Sequence, residues 1–195
     1  MRQLAAVLLL CFFTLPLLAQ EETLIDGEIE NGGFGGPVVK FGSINGEAGI
    51  FVGGRGGWII NHTFIVGGGG YGLANDVKAN VTGPYGQRYL NFGYGGVELE
   101  YIAQSDRLIH FSVMTLIGGG AVGWRDDSVR SGMDAGNDTF FVVEPAAQVN
   151  LNVTKYFRLS AGVSYRYISG VSSSAATNAD LSGPLAVLTF RFGKF

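Results

Sequence analysis

The chain is poor in cysteine, in charge and in long apolar runs. Its one cysteine, Cys11, excludes an intrachain disulfide and a thiolate metal site. Charged residues make up 15% of the 195 residues, well below the usual share of about a quarter. With 47% hydrophobic residues, that scarcity excludes intrinsic disorder. There is no basic block and the net charge is −3, so no nucleic-acid partner is expected. Beyond the first twenty residues no segment reaches about 18 uninterrupted apolar residues, so no membrane helix is expected there. Such a chain can enter a bilayer only as a closed barrel.

Glycine, by contrast, is abundant: 32 residues. At about 1 kcal/mol per helical position this argues against a helical protein. Met1-Arg2-Gln3 is a short basic start, residues 4–18 are apolar apart from Thr14 and Pro16, and Ala19 is a small residue suited to cleavage. This pattern predicts a signal peptide over 1–19, cleaved near Ala19. Residues 20–36 read as an acidic and glycine-rich tail. It carries Glu21, Glu22, Asp26, Glu28 and Glu30, then Gly32-Gly33-Phe34-Gly35-Gly36. One domain is expected over 37–195.

That domain breaks into eight runs of period-2 alternation: 38–44, 48–60, 63–73, 88–102, 108–124, 139–153, 156–168 and 184–195. Asn45-Gly46 is a two-residue hairpin signal, and Asn61-His62 marks a second tight turn. Short turns alternate with long polar segments at 74–87, 125–138 and 169–183; only the first connection breaks the alternation. The fold class expected is all-β, an eight-stranded antiparallel up-and-down transmembrane β-barrel.

Parity separates two faces. In the seventh run Phe157, Leu159, Ala161, Val163, Tyr165 and Tyr167 share one side, and Arg158, Ser160, Gly162, Ser164 and Arg166 the other. The apolar faces are assigned to lipid, with Trp58, Tyr101, Tyr165 and Tyr167 as aromatic girdles. Small and polar residues are then expected to fill the lumen, including Lys40, Arg55, Glu144, Arg158, Arg166 and Arg191. Glu98 and Glu100 join them through a bulge expected at Gly95-Gly96, and His110 if its run keeps parity. Pro145 also suggests a bulge, because proline cannot donate to a ladder. Buried charges must pair. Glu144 with Arg166 is the expected pair, and Glu98 and Glu100 reach toward Arg55 or the fifth run. The network is expected to be structural, a packed plug that fixes register, because eight strands leave no wide pore.

With the leader, the alternation, the loop asymmetry and the ending Leu188-Thr189-Phe190-Arg191-Phe192-Gly193-Lys194-Phe195 in view, the chain resembles the small eight-stranded outer-membrane β-barrel proteins of Gram-negative bacteria. The resemblance implies an outer-membrane location, contact with membrane lipid, and recognition of the terminal aromatics by the barrel-assembly machinery. Phe190, Phe192 and Phe195 would be that signal, and a kink at Gly193-Lys194 would bring Phe195 into step. It implies a structural or interaction role, with the loops 74–87, 125–138 and 169–183 as the surface for an extracellular partner.

Two alternatives belong to other classes. Small outer-membrane barrels that deacylate lipid A carry a His-x-Ser pair on a strand, and His110-Phe111-Ser112 is similar, with Glu98, Glu100 or Glu144 to orient the imidazole. A soluble ligand-binding barrel would reverse the parity. The acidic residues Asp126, Asp127, Asp134 and Asp138 lack EF-hand spacing and read as a solvated loop. No catalytic, cofactor or metal site is expected, and no cofactor.

Overall fold

The computed structural model describes residues 30–83, 86–126 and 135–195. The expected leader, the tail up to residue 29, and Asp127 and Asp134 lie outside the described residues. Among these described residues nine strands follow in order: β1 (Asn31–Ile44), β2 (Glu47–Ile60), β3 (Phe64–Leu73), β4 (Lys78–Gly83), β5 (Gly86–Ala103), β6 (Ile109–Asp126), β7 (Ala135–Thr154), β8 (Phe157–Ser169) and β9 (Gly183–Lys194). One short helix, α1 (Asn178–Leu181), lies between β8 and β9. All pairings are antiparallel, in the order β3-β2-β1-β9-β8-β7-β6-β5-β4, and β3 pairs with β5 to close the sheet. Eight strands therefore form the barrel. The ninth, β4, continues the wall where β3 stops, pairing only with the far end of β5.

The turns follow from backbone chemistry. Asn45 and Gly46 have φ of 51° and 75°, and Asn61 and His62 have 48° and 55°. Two consecutive left-handed residues match the twist of a hairpin, and Asn, His and Gly tolerate that region best. The barrel thus has a turn end, where β1 starts and β9 finishes, and a loop end.

Several sequence expectations need correction. β1 begins at Asn31, so residues 31–36 belong to the wall rather than to a tail. The segment 74–87 contains β4, and 169–183 contains α1, so neither is plain loop. No bulge interrupts Gly95-Gly96: both ladders of β5 run through it without a shift. The apolar parity changes there because the lumen itself changes character. Leu90, Phe92, Tyr94, Glu98, Glu100 and Ile102 all point inward and are buried. Pro145 keeps register with Thr115 of β6. Toward β8 the pairing lapses between Val143 and Ala146 and resumes without a shift. A short gap on one side therefore accommodates the missing N–H. True shifts occur near the barrel ends, between Val122 and Trp124 and between Asn152 and Thr154, where bulges commonly sit.

The lumen is not filled by small and polar residues alone. At the loop end it holds an apolar core including Phe51, Leu90, Phe92, Leu116, Phe140 and Leu185. Phe92 stacks on Phe140 with ring centroids 5.3 Å apart. At the turn end a smaller cluster of Phe34, Ile59, Ile65 and Ile102 packs with Phe195. Phe195 therefore follows lumen parity, whereas Phe190 and Phe192 sit on the opposite side of β9. The strand stays regular to Lys194, and the expected kink is absent.

Connecting segments roof the loop end. Val77 just before β4 and Ala79 within it, with Ala175, Ala176 and Leu181 around α1, are buried in the apolar core. Polar contacts lock them. Asn45 Nδ2 donates to Lys78 O (2.7 Å) and Asn80 Oδ1 (3.0 Å). The Asn45 backbone N–H donates to Asp180 O, and that of Asn80 to Ala175 O. A capping box between Thr177 and Asp180 fixes the start of α1. The β1–β2 turn, β4 and α1 thus interlock as one cap.

Candidate functional site

Lys40, Arg55, His110, Glu144, Arg158, Arg166 and Arg191 lie on the side that parity gives them, and Glu98 and Glu100 face the same way without the bulge expected to turn them. Lys40, Arg55, Glu98, Glu100, His110, Glu144, Arg158, Arg166 and Arg191 are all buried in the lumen. They come from seven strands of the closed wall, so barrel closure rather than chain proximity brings them together.

The larger cluster centres on Glu100. Its two oxygens accept from Arg55 (2.9 Å) and Arg191 (2.8 Å). Arg55 Nε also donates to Glu98 at 2.6 Å, and Tyr71 O–H donates to the other Glu98 oxygen at 2.5 Å. Arg191 donates in addition to Gln148 Oε1 at 3.0 Å. Gly69 makes room for this arrangement, since a Cβ there would lie 2.6 Å from the Tyr71 hydroxyl and would also press on Glu98.

The second cluster is Glu144. It accepts from Lys40 (2.7 Å), from Tyr94 O–H (2.5 Å) and from Ser164 (2.8 Å). The Lys40 ammonium lies 3.3 Å from the centroid of the Tyr71 ring, which joins the two clusters. The expected Glu144–Arg166 pair is replaced by Lys40–Glu144. Lys40 projects from β1 across the lumen. Arg166 turns toward the loop end instead, where its Nε donates to Leu181 O at 2.7 Å. Its guanidinium sits 4.4 Å from the Phe51 ring centroid, with both terminal nitrogens unpartnered. The expected reach of Glu98 and Glu100 toward Arg55 is present.

Sequence reasoning missed Tyr71 and Tyr94 as members of the network. No lumen role was expected of either, yet each places its hydroxyl on a carboxylate. Gln148, Asn150 and Ser160 extend the polar layer: Asn150 Nδ2 donates to Ser112 Oγ (3.0 Å) and Ser160 to Asn150 Oδ1 (2.5 Å).

Five cations and three carboxylates are buried here. A one-residue register slip of any one strand would turn the charges of that strand toward lipid. For a lipid-facing Arg or Lys at the midplane that costs about 2–4 kcal/mol each. The network therefore specifies one register. His110 and Ser112 do not form a nucleophile–base pair. His110 Nδ1 contacts Arg107 O at 3.1 Å, its Nε2 has no partner, and Ser112 accepts from Asn150. His62 pairs with Glu30 at 2.6 Å at the turn end. No group of three metal-ligating side chains occurs among the described residues.

The outward face completes the geometry. Val, Ile, Leu, Phe, Tyr and Trp side chains from most strands of the wall stand exposed, among them Val52, Trp58, Val97, Leu99, Phe111, Val113, Phe141, Val163, Tyr165 and Tyr167. A closed eight-stranded wall with its apolar side outward and its charges inward decides the architecture. The fold is that of the small outer-membrane β-barrels. Comparison with solved structures agrees. Neisserial surface protein A shares the fold with a TM-score of 0.60 at 15% identity, over 87% of this chain and 100% of that one. The N-terminal β-barrel domain of Pseudomonas aeruginosa OprF gives 0.56 at 12%, over 85% and 99%. Ail, the attachment invasion locus protein of Yersinia pestis, solved with the heparin analogue sucrose octasulfate, gives 0.50 at 13%, over 86% and 99%. No protein-family model matches the chain. No curated protein matches it in sequence.

Proposed function

We propose that the protein is an outer-membrane β-barrel with a structural or interaction role, presented through its outer cap and loops, and that it is neither a wide pore nor an enzyme. The carrying observation is the closed lumen: an apolar core under an interlocked cap, above an ionic layer whose carboxylates are all paired. Solute cannot cross such an interior without breaking it. The lipid-A deacylase alternative lacks support in the geometry, since His110 and Ser112 each face other partners near the turn end. A water-soluble monomer would expose an apolar belt far larger than soluble proteins tolerate. Membrane lipid, the barrel-assembly machinery reading Phe190, Phe192 and Phe195, and an extracellular partner on 74–87, 125–138 and 169–183 complete the proposal. So does a signal peptide cleaved near Ala19.

The test is heat-modifiability of protein extracted from the outer-membrane fraction. The unboiled form is expected to migrate apart from the boiled form in detergent gels, and planar bilayers containing the protein are expected to show no large steady conductance. Recovery in the soluble periplasm with no shift on boiling would overturn the reading.

A further inference from the structure

The turn end carries a pocket that the ionic layer does not use. Its volume is about 430 Å³, within the range of small-ligand sites. Charges of both signs line it: Lys155 and Arg158 from the β7–β8 turn and the start of β8, and Asp106 from the β5–β6 turn. Among the described residues no ion pair joins Asp106 to either cation. Arg158 is buried, yet its hydrogen bond is only a 3.5 Å contact to Ser105 O. Both Glu100 oxygens are already taken by Arg55 and Arg191. Of the five buried cations, Arg158 and Arg166 therefore have no carboxylate partner among the described residues. Arg166 is sealed under the cap, whereas Arg158 lines the pocket. The Phe195 ring, 4.2 Å from the Arg158 guanidinium carbon, is also part of the lining.

The backbone that carries Asp106 is fixed. Asn152 Nδ2 donates to Ser105 O (3.0 Å) and Arg107 O (2.8 Å), one residue to either side of it. The Arg107 N–H donates to Gln104 O (3.0 Å), and the Asn152 N–H to Leu108 O (2.9 Å). Groups held in place before binding lose little freedom on binding. A lone anion in this pocket meets the Asp106 carboxylate, and a lone cation meets Arg158 and Lys155. Such like-charge contacts select against both. A ligand that carries both charges satisfies both sides with charge-assisted hydrogen bonds. Arg158 is buried on the lumen side, Asn152 is its partner across the β7–β8 ladder, and Phe195 follows lumen parity. The pocket therefore belongs to the mouth of the barrel and not to its lipid-facing wall, which favours a free molecule over an anchored lipid headgroup. We propose that this pocket binds a zwitterionic ligand of about dipeptide size, its carboxylate on Arg158 and Lys155 and its ammonium on Asp106.

The test uses the full mature chain in maltoside micelles, whose detergent carries no charge to compete. Dialanine is titrated in, and backbone amide signals are followed by NMR. Shifts are expected in the β5–β6 and β7–β8 turns, with the cap amides unmoved. N-acetyl-dialanine lacks the ammonium and dialanine amide lacks the carboxylate. Each is expected to bind about tenfold more weakly than dialanine, the loss of one hydrogen bond between charged groups. Asp106 and Lys155 are exposed, so their variants are expected to fold. D106N is expected to weaken dialanine by a similar factor while binding N-acetyl-dialanine at least as well as the parent chain does. K155Q is expected to weaken dialanine and to leave dialanine amide unaffected. Equal binding of the three peptides would overturn the proposal, as would the absence of shifts in both turns. Phosphoethanolamine presents the same two charges as a lipid headgroup does; tighter binding of it than of dialanine would overturn the assignment to a free peptide-like ligand.

Discussion

The two halves of the lumen fill the same kind of space by different means. The loop half is packed with Phe51, Leu90, Phe92, Leu116 and Phe140, whose burial is non-directional. Below it, charges meet in fixed pairs, and geometry decides everything. An apolar core tolerates exchange of similar volumes. A buried ion pair does not tolerate loss of one member, although replacing the whole pair by apolar groups is often neutral. The apolar half thus supplies packing, and the ionic half is the better candidate for specifying register.

The most direct way to break this comparison is at Glu100, which alone bridges Arg55 and Arg191. Glu100→Gln leaves two guanidiniums facing each other, and a loss of about 3–5 kcal/mol is expected in urea unfolding from lipid vesicles. Lys40→Met should cost a similar amount by stranding Glu144. Adding Glu144→Leu should recover most of that loss, because the site then resembles the loop half. Failure of the double variant to recover would mean that the ionic half carries net stability after all. In the loop half, Leu116→Ala removes only packing, and about 3 kcal/mol is expected, with the register of the NMR-observed ladders unchanged.

Smaller effects probe the cap. Asn45→Ala removes two side-chain hydrogen bonds to β4. A cost of about 1–2 kcal/mol is expected. Hydrogen exchange should rise in β4 and α1 while the barrel ladders stay protected. The smallest effect is acid loosening of the same region. The Thr177 backbone N–H and hydroxyl hold the Asp180 carboxyl below its ordinary value of 3.8. A depressed carboxyl contributes stability above its unfolded pKa and loses it as pH falls through the folded pKa. Protection factors around α1, each taken against the intrinsic exchange rate at the same pH, should therefore be lower at pH 3 than at pH 7, with Asp180→Asn removing the dependence.

Much of the wall was legible in the sequence. The alternation from Phe157 to Tyr167 gave the inward and outward sets of β8 correctly, and Asn45-Gly46 and Asn61-His62 turned where expected. Tyr94 shows where such reading stops. A bulge was expected just after it, at Gly95-Gly96; in the barrel Tyr94 points inward, its hydroxyl on Glu144, and the ladder is regular. Alternation reports which residues share a face, but not whether an aromatic face belongs to lipid or to an apolar stretch of lumen. Glu144 teaches the same lesson for pairing. Arg166 on the neighbouring strand looked like its partner, but Lys40 reaches it across the barrel from β1.

The sequence by itself determined the eight wall strands in outline, two of their turns and the inward side of Lys40, Arg55, Glu144, Arg158, Arg166 and Arg191, because a period of two and a left-handed turn residue are local properties of the backbone. The tertiary structure alone decided which charges meet, which half of the lumen is apolar and how three connecting segments lock into a cap. Those outcomes depend on closure. Only when β3 joins β5 do strands far apart in the chain face one another across a single axis, and distance across that axis is not written in any local pattern.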